Sequence, residues 1–235
     1  LFPTGMLPQL NSTPRPASNV EVALSISGAD DGKFDGSDEI LFYGEGPDQY
    51  TYNNAKEIFW YENNIYTDNN FYFLYIGTGS SPANRIQKSN LNAGGGNVVS
   101  ETMDYGYYET DQYNDLKSGR DWFGEQFDVK NEITIRFDLP GIVDNSQVRF
   151  VSNMMVQTYK PASFKVFWNN NQILDRVADT IKEERYTPKG KIHADTLTLN
   201  SNTIGATSAT NQDIKINFTK GGGNRSVAYL NYVLF

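Results

Sequence analysis

Apolar residues at every second position recur throughout this sequence, and that period commits most of it to β-strands. Ile133, Ile135, Phe137 and Leu139 alternate with Thr134, Arg136 and Asp138. Successive strand side chains point to opposite faces, so such a run buries one face and wets the other. The pattern recurs at Phe164, Val166 and Trp168, and again at Ile214, Ile216 and Phe218. Residues 20–27, 39–44, 57–61, 71–77, 148–156 and 227–235 read as further strands. Turn chemistry separates them at residues 30–36, 44–47, 77–82, 94–96, 169–171 and 221–223, all rich in Gly, Asn, Asp or Pro. Only residues 107–117 leave room for a helix, and their apolar spacing is poor. Many short strands joined by turns predict an all-β chain, a β-sandwich or jelly-roll-like fold.

At 235 residues the chain can bury one large core or two small ones. Its sharpest composition shift falls at residues 89–97, where Asn, Ala and Gly replace aromatics. That suggests an N-terminal β-subdomain over residues 1–90, truncated at its start, and a β-sandwich over residues 91–235. One long surface loop within a single domain is the alternative. The first residue is Leu1, and an aromatic, β-branched run from Val227 to Phe235 reaches the other end. Such a run is expected to be half-covered where it stops, so both ends read as cuts inside a longer protein.

The charge balance, 20 basic against 28 acidic side chains for a net −8, argues against nucleic acid, which selects clustered Lys and Arg. No run of about 18 apolar residues is present, so no transmembrane segment is expected. There is no cysteine and one histidine, His193. Disulfides, thiolate nucleophiles and Cys-ligated metals are thereby excluded from this chain. His193 stands beside no nucleophile motif, and no pair of carboxylates stands out for glycoside hydrolysis. No catalytic residue and no cofactor is expected here, apart from one weak calcium candidate.

That candidate is the acidic run Asp30-Asp31-Gly32-Lys33-Phe34-Asp35-Gly36-Ser37-Asp38-Glu39. With Gly32 at the sixth position of a calcium loop, Asp31, Asp35 and Asp38 fall at ligand positions, but Ala29 falls where oxygen is needed. The plainer reading is a solvated connection between strands. A second distinctive string is Gly119-Arg120-Asp121-Trp122-Phe123-Gly124-Glu125-Gln126-Phe127. Trp122 and Phe123 are expected inside, anchoring a loop that Arg120 ties to a carboxylate such as Glu109 or Glu125. A ligand platform is the competing reading. Tyrosines crowd the first half, among them Tyr50, Tyr52, Tyr61, Tyr66, Tyr72, Tyr75, Tyr105, Tyr107, Tyr108 and Tyr113. Exposed rings beside Asp and Asn suit a carbohydrate-binding face. Tyrosine is also simply a good strand residue.

Several strings taken together carry a resemblance. They are Gly5-Met6-Leu7-Pro8, the acidic run extended through Ile40-Leu41-Phe42-Tyr43-Gly44-Glu45-Gly46-Pro47, then Asn70-Phe71-Tyr72-Phe73-Leu74, then Ser118-Gly119-Arg120-Asp121-Trp122-Phe123-Gly124-Glu125. Tyr229-Leu230-Asn231-Tyr232-Val233 completes the order. The chain resembles the non-catalytic N-terminal β-region of the type IX secretion sortases of Bacteroidota, which are gingipain-like cysteine peptidases. The resemblance implies an accessory β-domain of a cell-surface or outer-membrane protein, followed by a catalytic domain in the same chain. It also implies secreted cargo, outer-membrane components of the secretion system or surface glycan as partners. The family's His and Cys lie in its peptidase domain, so no catalytic residue carries over to this chain. A carbohydrate-binding or adhesion module remains the alternative.

Overall fold

A computed structural model describes residues 2–4, 20–64, 66–75, 83–88, 98–117, 121–209 and 211–235. The string at residues 5–8 and the composition shift at residues 89–97 lie outside the described residues. The strands, in chain order, begin with β1 (Phe2–Thr4), β2 (Leu24–Ser27), β3 (Glu39–Phe42), β4 (Gln49–Asn53) and β5 (Ile58–Glu62). Next come β6 (Phe71–Phe73), β7 (Tyr107–Glu109), β8 (Gln126–Phe127), β9 (Glu132–Asp138) and β10 (Gln147–Thr158). The last are β11 (Ala162–Trp168), β12 (Asn171–Ala178), β13 (Lys191–Asn200), β14 (Asn211–Thr219) and β15 (Ser226–Leu234). A single 3-10 turn, Ala29–Asp31, is the only helical element among the described residues. The chain is all-β, as its periodicity predicts. None of the described residues forms a helix long and apolar enough to cross a membrane.

Two compact units emerge: Leu1–Tyr50 with Tyr61–Val98, and Thr51–Trp60 with Val99–Phe235. The smaller is built from two-stranded pairings. β2 and β3 pair antiparallel from Leu24↔Phe42 to Ser27↔Glu39, and β1 pairs with β6. Leu24 also exchanges backbone hydrogen bonds with Asn84 and Ile86. Its rings pack in pairs, Phe42 on Tyr72 and Tyr50 on Tyr61, while Tyr43, Tyr66 and Tyr75 stand out in solvent.

The larger unit is a sandwich. One sheet runs β13-β10-β15-β7, with β8 also paired to β15; the other runs β12-β11-β14-β9. Each supplies its inward face to one core. Ile133 and Ile135 of β9, Phe164, Val166 and Trp168 of β11, and Ile214, Ile216 and Phe218 of β14 meet Phe150, Met154 and Val156 of β10 and Ala228, Leu230 and Val233 of β15. Alternation therefore translates directly into a dry interior, at about 25 cal/mol per Å² of apolar surface removed from water. Between β11 and β12 the chain reverses at Asn169-Asn170, both in the left-handed region at φ 45° and 70°. Asparagine tolerates that conformation, which suits a tight hairpin.

At three places the structure corrects or completes the sequence reading. Residues 107–117 are not helical: Tyr107–Glu109 pair with β15 through Leu234, Val233 and Tyr232. The terminal run is not half-covered, because β15 lies inside its sheet, and Val233, Leu234 and Phe235 are buried. Residues 171–178 and 191–200, unassigned by periodicity, are β12 and β13. Their inward positions include Arg176, His193 and Asp195, which break the apolar alternation.

One polar group sits inside this core with every bond made. Gln212, fully buried, accepts hydrogen bonds at Oε1 from Trp168 Nε1 (2.9 Å) and Asn169 Nδ2 (2.7 Å). Its Nε2 donates to the carbonyls of Ala206 (3.1 Å) and Ala209 (2.6 Å). Replacing Gln212 by Leu would strand the indole N–H without an acceptor, so Gln212→Leu should cost about 1–3 kcal/mol. Urea unfolding of the variant, with the slope unchanged and the midpoint lowered, checks this.

Candidate functional site

The outward face of the β13-β10-β15-β7 sheet is the part of the larger unit where side chains are arranged for more than core packing. Two separate segments cover it. Over one part lies the tip of the β4–β5 hairpin. Ile58 packs on Val151 and Leu234, with Tyr107 and Tyr232 beside them. Trp60 meets Tyr232 edge-on at 5.9 Å, and Phe59 lies 5.0 Å from both Tyr52 and Tyr105. Glu57, held at φ 51°, pairs with Arg149 at 2.6 Å. Over the other part lie residues 110–117 and 121–125. Phe123 is buried against Met155 and Tyr229, and Tyr113 caps Tyr229 at 5.7 Å.

Backbone bonding seats the second segment. Phe123 N donates to Tyr113 O, and Tyr113 N returns the bond to Phe123 O, both at 2.8 Å. Gly124 N donates to Leu230 O (2.7 Å), and Leu230 N to Glu125 O (3.0 Å). Glycine is needed at 124 because a Cβ there would lie 2.3 Å from Thr110 Oγ1 and 2.8 Å from Thr110 O. The Tyr108 hydroxyl donates to Glu125 Oε1, and burial followed by that carboxylate pushes the phenol up to about 12. Farther along, Arg225 Nε donates to Gln157 Oε1 (2.8 Å) and its Nη2 to Asp115 Oδ2 (3.1 Å), closing a polar tie under the loop.

Between the two covers the strands slip. Pairing passes from Asn153↔Tyr232 to Met154↔Leu230, so Asn231 is an extra residue, a β-bulge. The amides of Asn153 and Asn231 lie 3.5 Å apart at this irregularity, both half-exposed. The result is an amide strip on a sheet whose neighbouring rings, Trp60 and Tyr113, are each more than a third exposed. Rings with apolar faces beside amide donors and acceptors can stack against a sugar ring and hydrogen-bond its hydroxyls. Sequence reasoning missed this strip because a bulge has no composition signature.

The predicted motif is divided by the structure. Gly119 and Arg120 lie outside the described residues. Phe123 is 0% exposed, but Trp122 is 42% exposed. The segment is extended there, so adjacent side chains face opposite ways and only one of two neighbouring rings can enter the sheet. Gly124 and Glu125 sit where the chain docks on β15.

In the acidic run three carboxylates, those of Asp31, Asp35 and Asp38, turn toward nearby backbone. Asp31 Oδ1 accepts from Lys33 N (2.9 Å), and Asp38 Oδ2 from Asp35 N (2.9 Å). Asp35 Oδ1 accepts from both Ser37 N (2.9 Å) and Ser37 Oγ (2.7 Å), which holds that carboxyl below its ordinary range. No three His, Cys, Asp or Glu side chains among the described residues gather closely enough to hold a metal ion. Local turn bonds account for Asp31, Asp35 and Asp38 as they stand.

No protein-family model and no curated protein matches the sequence. Among solved structures, the chain is similar to dimeric latent PorU from Porphyromonas gingivalis. The TM-score is 0.67 at 17% identity, over 99% of this chain and 20% of that one. The chain thus spans about a fifth of that protein's length, and the likeness is one of fold. Much more distant are the carbohydrate-binding module CBM36 in complex with calcium and xylotriose and the CBM36-1 domain of a xylanase from the hindgut metagenome of Trinervitermes trinervoides. Their TM-scores are 0.32 and 0.35, at 15% and 11% identity, over 56% of this chain in each case and 91% and 95% of theirs.

Two measurements follow from this geometry. Phe123→Ala should cost about 3–5 kcal/mol, like other emptied core sites, whereas Trp122→Ala should cost about 1 kcal/mol or less. Denaturant titration of both variants separates them, and equal losses would contradict the orientation described. A thermal melt in 10 mM calcium (about ten to a hundred times the dissociation constant of a weak extracellular loop) should match one in EDTA. A shift abolished by Asp35→Asn would show that the acidic run binds the ion.

Proposed function

We propose that this chain is a non-catalytic accessory β-module of a larger, exported, gingipain-like cysteine peptidase of the type IX secretion sortase kind. The fold likeness to PorU over 99% of the chain carries the reading. The missing cysteine supports it, since peptidase chemistry of that kind must reside elsewhere. The motif strings quoted above resemble the same family independently of the fold. On this reading the module packs on or orients a catalytic domain downstream in the same polypeptide, at the cell surface or outer membrane. Secreted cargo, outer-membrane components of the secretion system and surface glycan are the partners the resemblance suggests. The domain division suggested by composition, near residue 90, belongs to the same proposal.

A second reading has an observation of its own. The amide strip at Asn153 and Asn231, with Trp60, Tyr113 and Trp122 partly exposed on the same unit, suits a glycan-binding module. Loss of glycan retention on Trp60→Ala, with the melting point of the parent kept, would favour this reading over a purely architectural role.

Two experiments test the first reading. The gene beyond the codon for Phe235 should encode an α/β domain carrying a His and a Cys; an unrelated domain or repeat there overturns the proposal. The isolated chain, incubated with a peptide library and read by mass spectrometry, should cleave nothing. Cleavage that disappears in His193→Ala would overturn the non-catalytic assignment.

A further inference from the structure

At one edge of the sandwich the interior is polar. β12 and β13 are the outermost strands of their respective sheets, and Arg176 of β12 reaches Asp195 of β13 at 3.5 Å. Register puts Arg176 on the same inward face as Phe164, its partner in β11. Across the gap, Asp195 pairs with Ser152 and His193 with Met154, and Met154 belongs to the core. Ser152, His193 and Asp195 therefore share the inward face of neighbouring strands. Phe164 meets the His193 ring edge-on at 6.0 Å.

Three atoms in this cluster lack a partner: Ser152 Oγ, His193 Nε2 and Asp195 Oδ2. Ser152 is 0% exposed and His193 2%. Buried polar atoms without partners are rare, because each forfeits its hydrogen bonds to water. Here they occur on neighbouring strands of one edge, where an ion pair joins β12 of one sheet to β13 of the other. A metal is a poor occupant, since Arg176 already holds Asp195 and supplies a competing positive charge.

We propose that His193 is a proton-operated latch on this edge: on taking up a proton it draws Asp195 away from Arg176 and loosens β12 from β13. Neutral imidazole leaves Nε2 and Asp195 Oδ2 both unpaired. Imidazolium carries a donor on each ring nitrogen, and Asp195 is the acceptor on its own strand face. The proton comes from solvent, and no covalent bond changes. Once Asp195 serves His193, Arg176 is left as an exposed cation on an edge strand with nothing tying it to the opposite sheet.

The charged groups acting on His193 are Asp179, Arg176, Asp195 and Lys191; β11 presents Phe164 and β10 presents Ser152 and Met154. Burial is the largest influence and lowers the imidazole below its ordinary 6.5; Asp179 and Asp195 oppose that shift, and Arg176 and Lys191 reinforce it. The folded form therefore binds the proton less readily than the unfolded chain. Stability is complete above about pH 6.5 and is lost as pH falls through the lower, folded-state value.

His193 is the only histidine, so its ring signals in a nitrogen-15 NMR titration of the intact chain need no assignment by mutation. His193 should titrate below 6.5. Over the same pH interval, exchange protection of amides in β12 and the first half of β13 should fall at least tenfold, while β9 and β14 keep theirs. His193→Gln, which is always neutral, should remove the pH dependence. Arg176→Met, at a partly exposed position, should show a loosened edge already at pH 7 and a raised His193 titration. A titrating His193 with unchanged edge protection would overturn the latch. So would the same tenfold loss in His193→Gln, or an Arg176→Met edge indistinguishable from the parent.

Discussion

The larger unit depends on β15 being buried on both faces. Inward, Ala228, Leu230 and Val233 close the sandwich core; outward, Tyr229 lies beneath Phe123 and Leu234 beneath Ile58 at the β4–β5 hairpin tip. A strand covered on both sides cannot alternate apolar with polar, and Val227-Ala228-Tyr229-Leu230 accordingly reads as a continuous apolar run. β10 on one side and β7 and β8 on the other all register against this strand. The bulge at Asn231 then lets Tyr229 and Tyr232 both face outward, although they stand an odd three positions apart in sequence. Without the extra residue, one of the two outer clusters would point into the core.

The two outer covers are satellites, not extensions of the core. Each rests on a small apolar cluster, Ile58 with Val151 and Leu234 in one, Phe123 with Met155 and Tyr229 in the other. Polar ties secure their margins: Glu57 to Arg149, and the Asp115–Arg225–Gln157 group. Exposed ion pairs of this kind contribute little individually, so the rings and backbone bonds hold the covers in place. Elements with few buried contacts open at lower free energy than the core they sit on. The amide strip lies between two such elements, where binding and recognition can be accommodated without disturbing the sandwich.

Much of the architecture could be read from residue order. Alternation placed β9, β11 and β14 to within about three residues at their ends, because each has one wet face and one dry face and nothing overrides the period. It failed at β12 and β13 for the converse reason: Arg176, His193 and Asp195 occupy inward positions, so the period carries polar residues where apolar ones are expected. Residues 107–117 were left undecided by their poor apolar spacing, and pairing with β15 made their first part a strand. In the Gly119–Phe127 string, composition identified an anchored loop but treated Trp122 and Phe123 alike.

The amino-acid sequence by itself determined that this chain is all-β and that it carries no cysteine chemistry, since periodicity of two and the absence of a residue type are both local facts. It also contained the Asx-type turns of the acidic run, whose hydrogen bonds span two or three residues. Which of two adjacent rings is buried, where a bulge exposes two asparagines, why Gly124 admits no side chain and how Ser152, His193 and Asp195 come to share one buried edge were decided by tertiary structure. Each depends on a partner far away along the chain: β15 for Phe123 and Asn231, Thr110 for Gly124, β10 and β12 for His193. Strand register across such distances is set by the packing of whole sheets, and no local pattern encodes it.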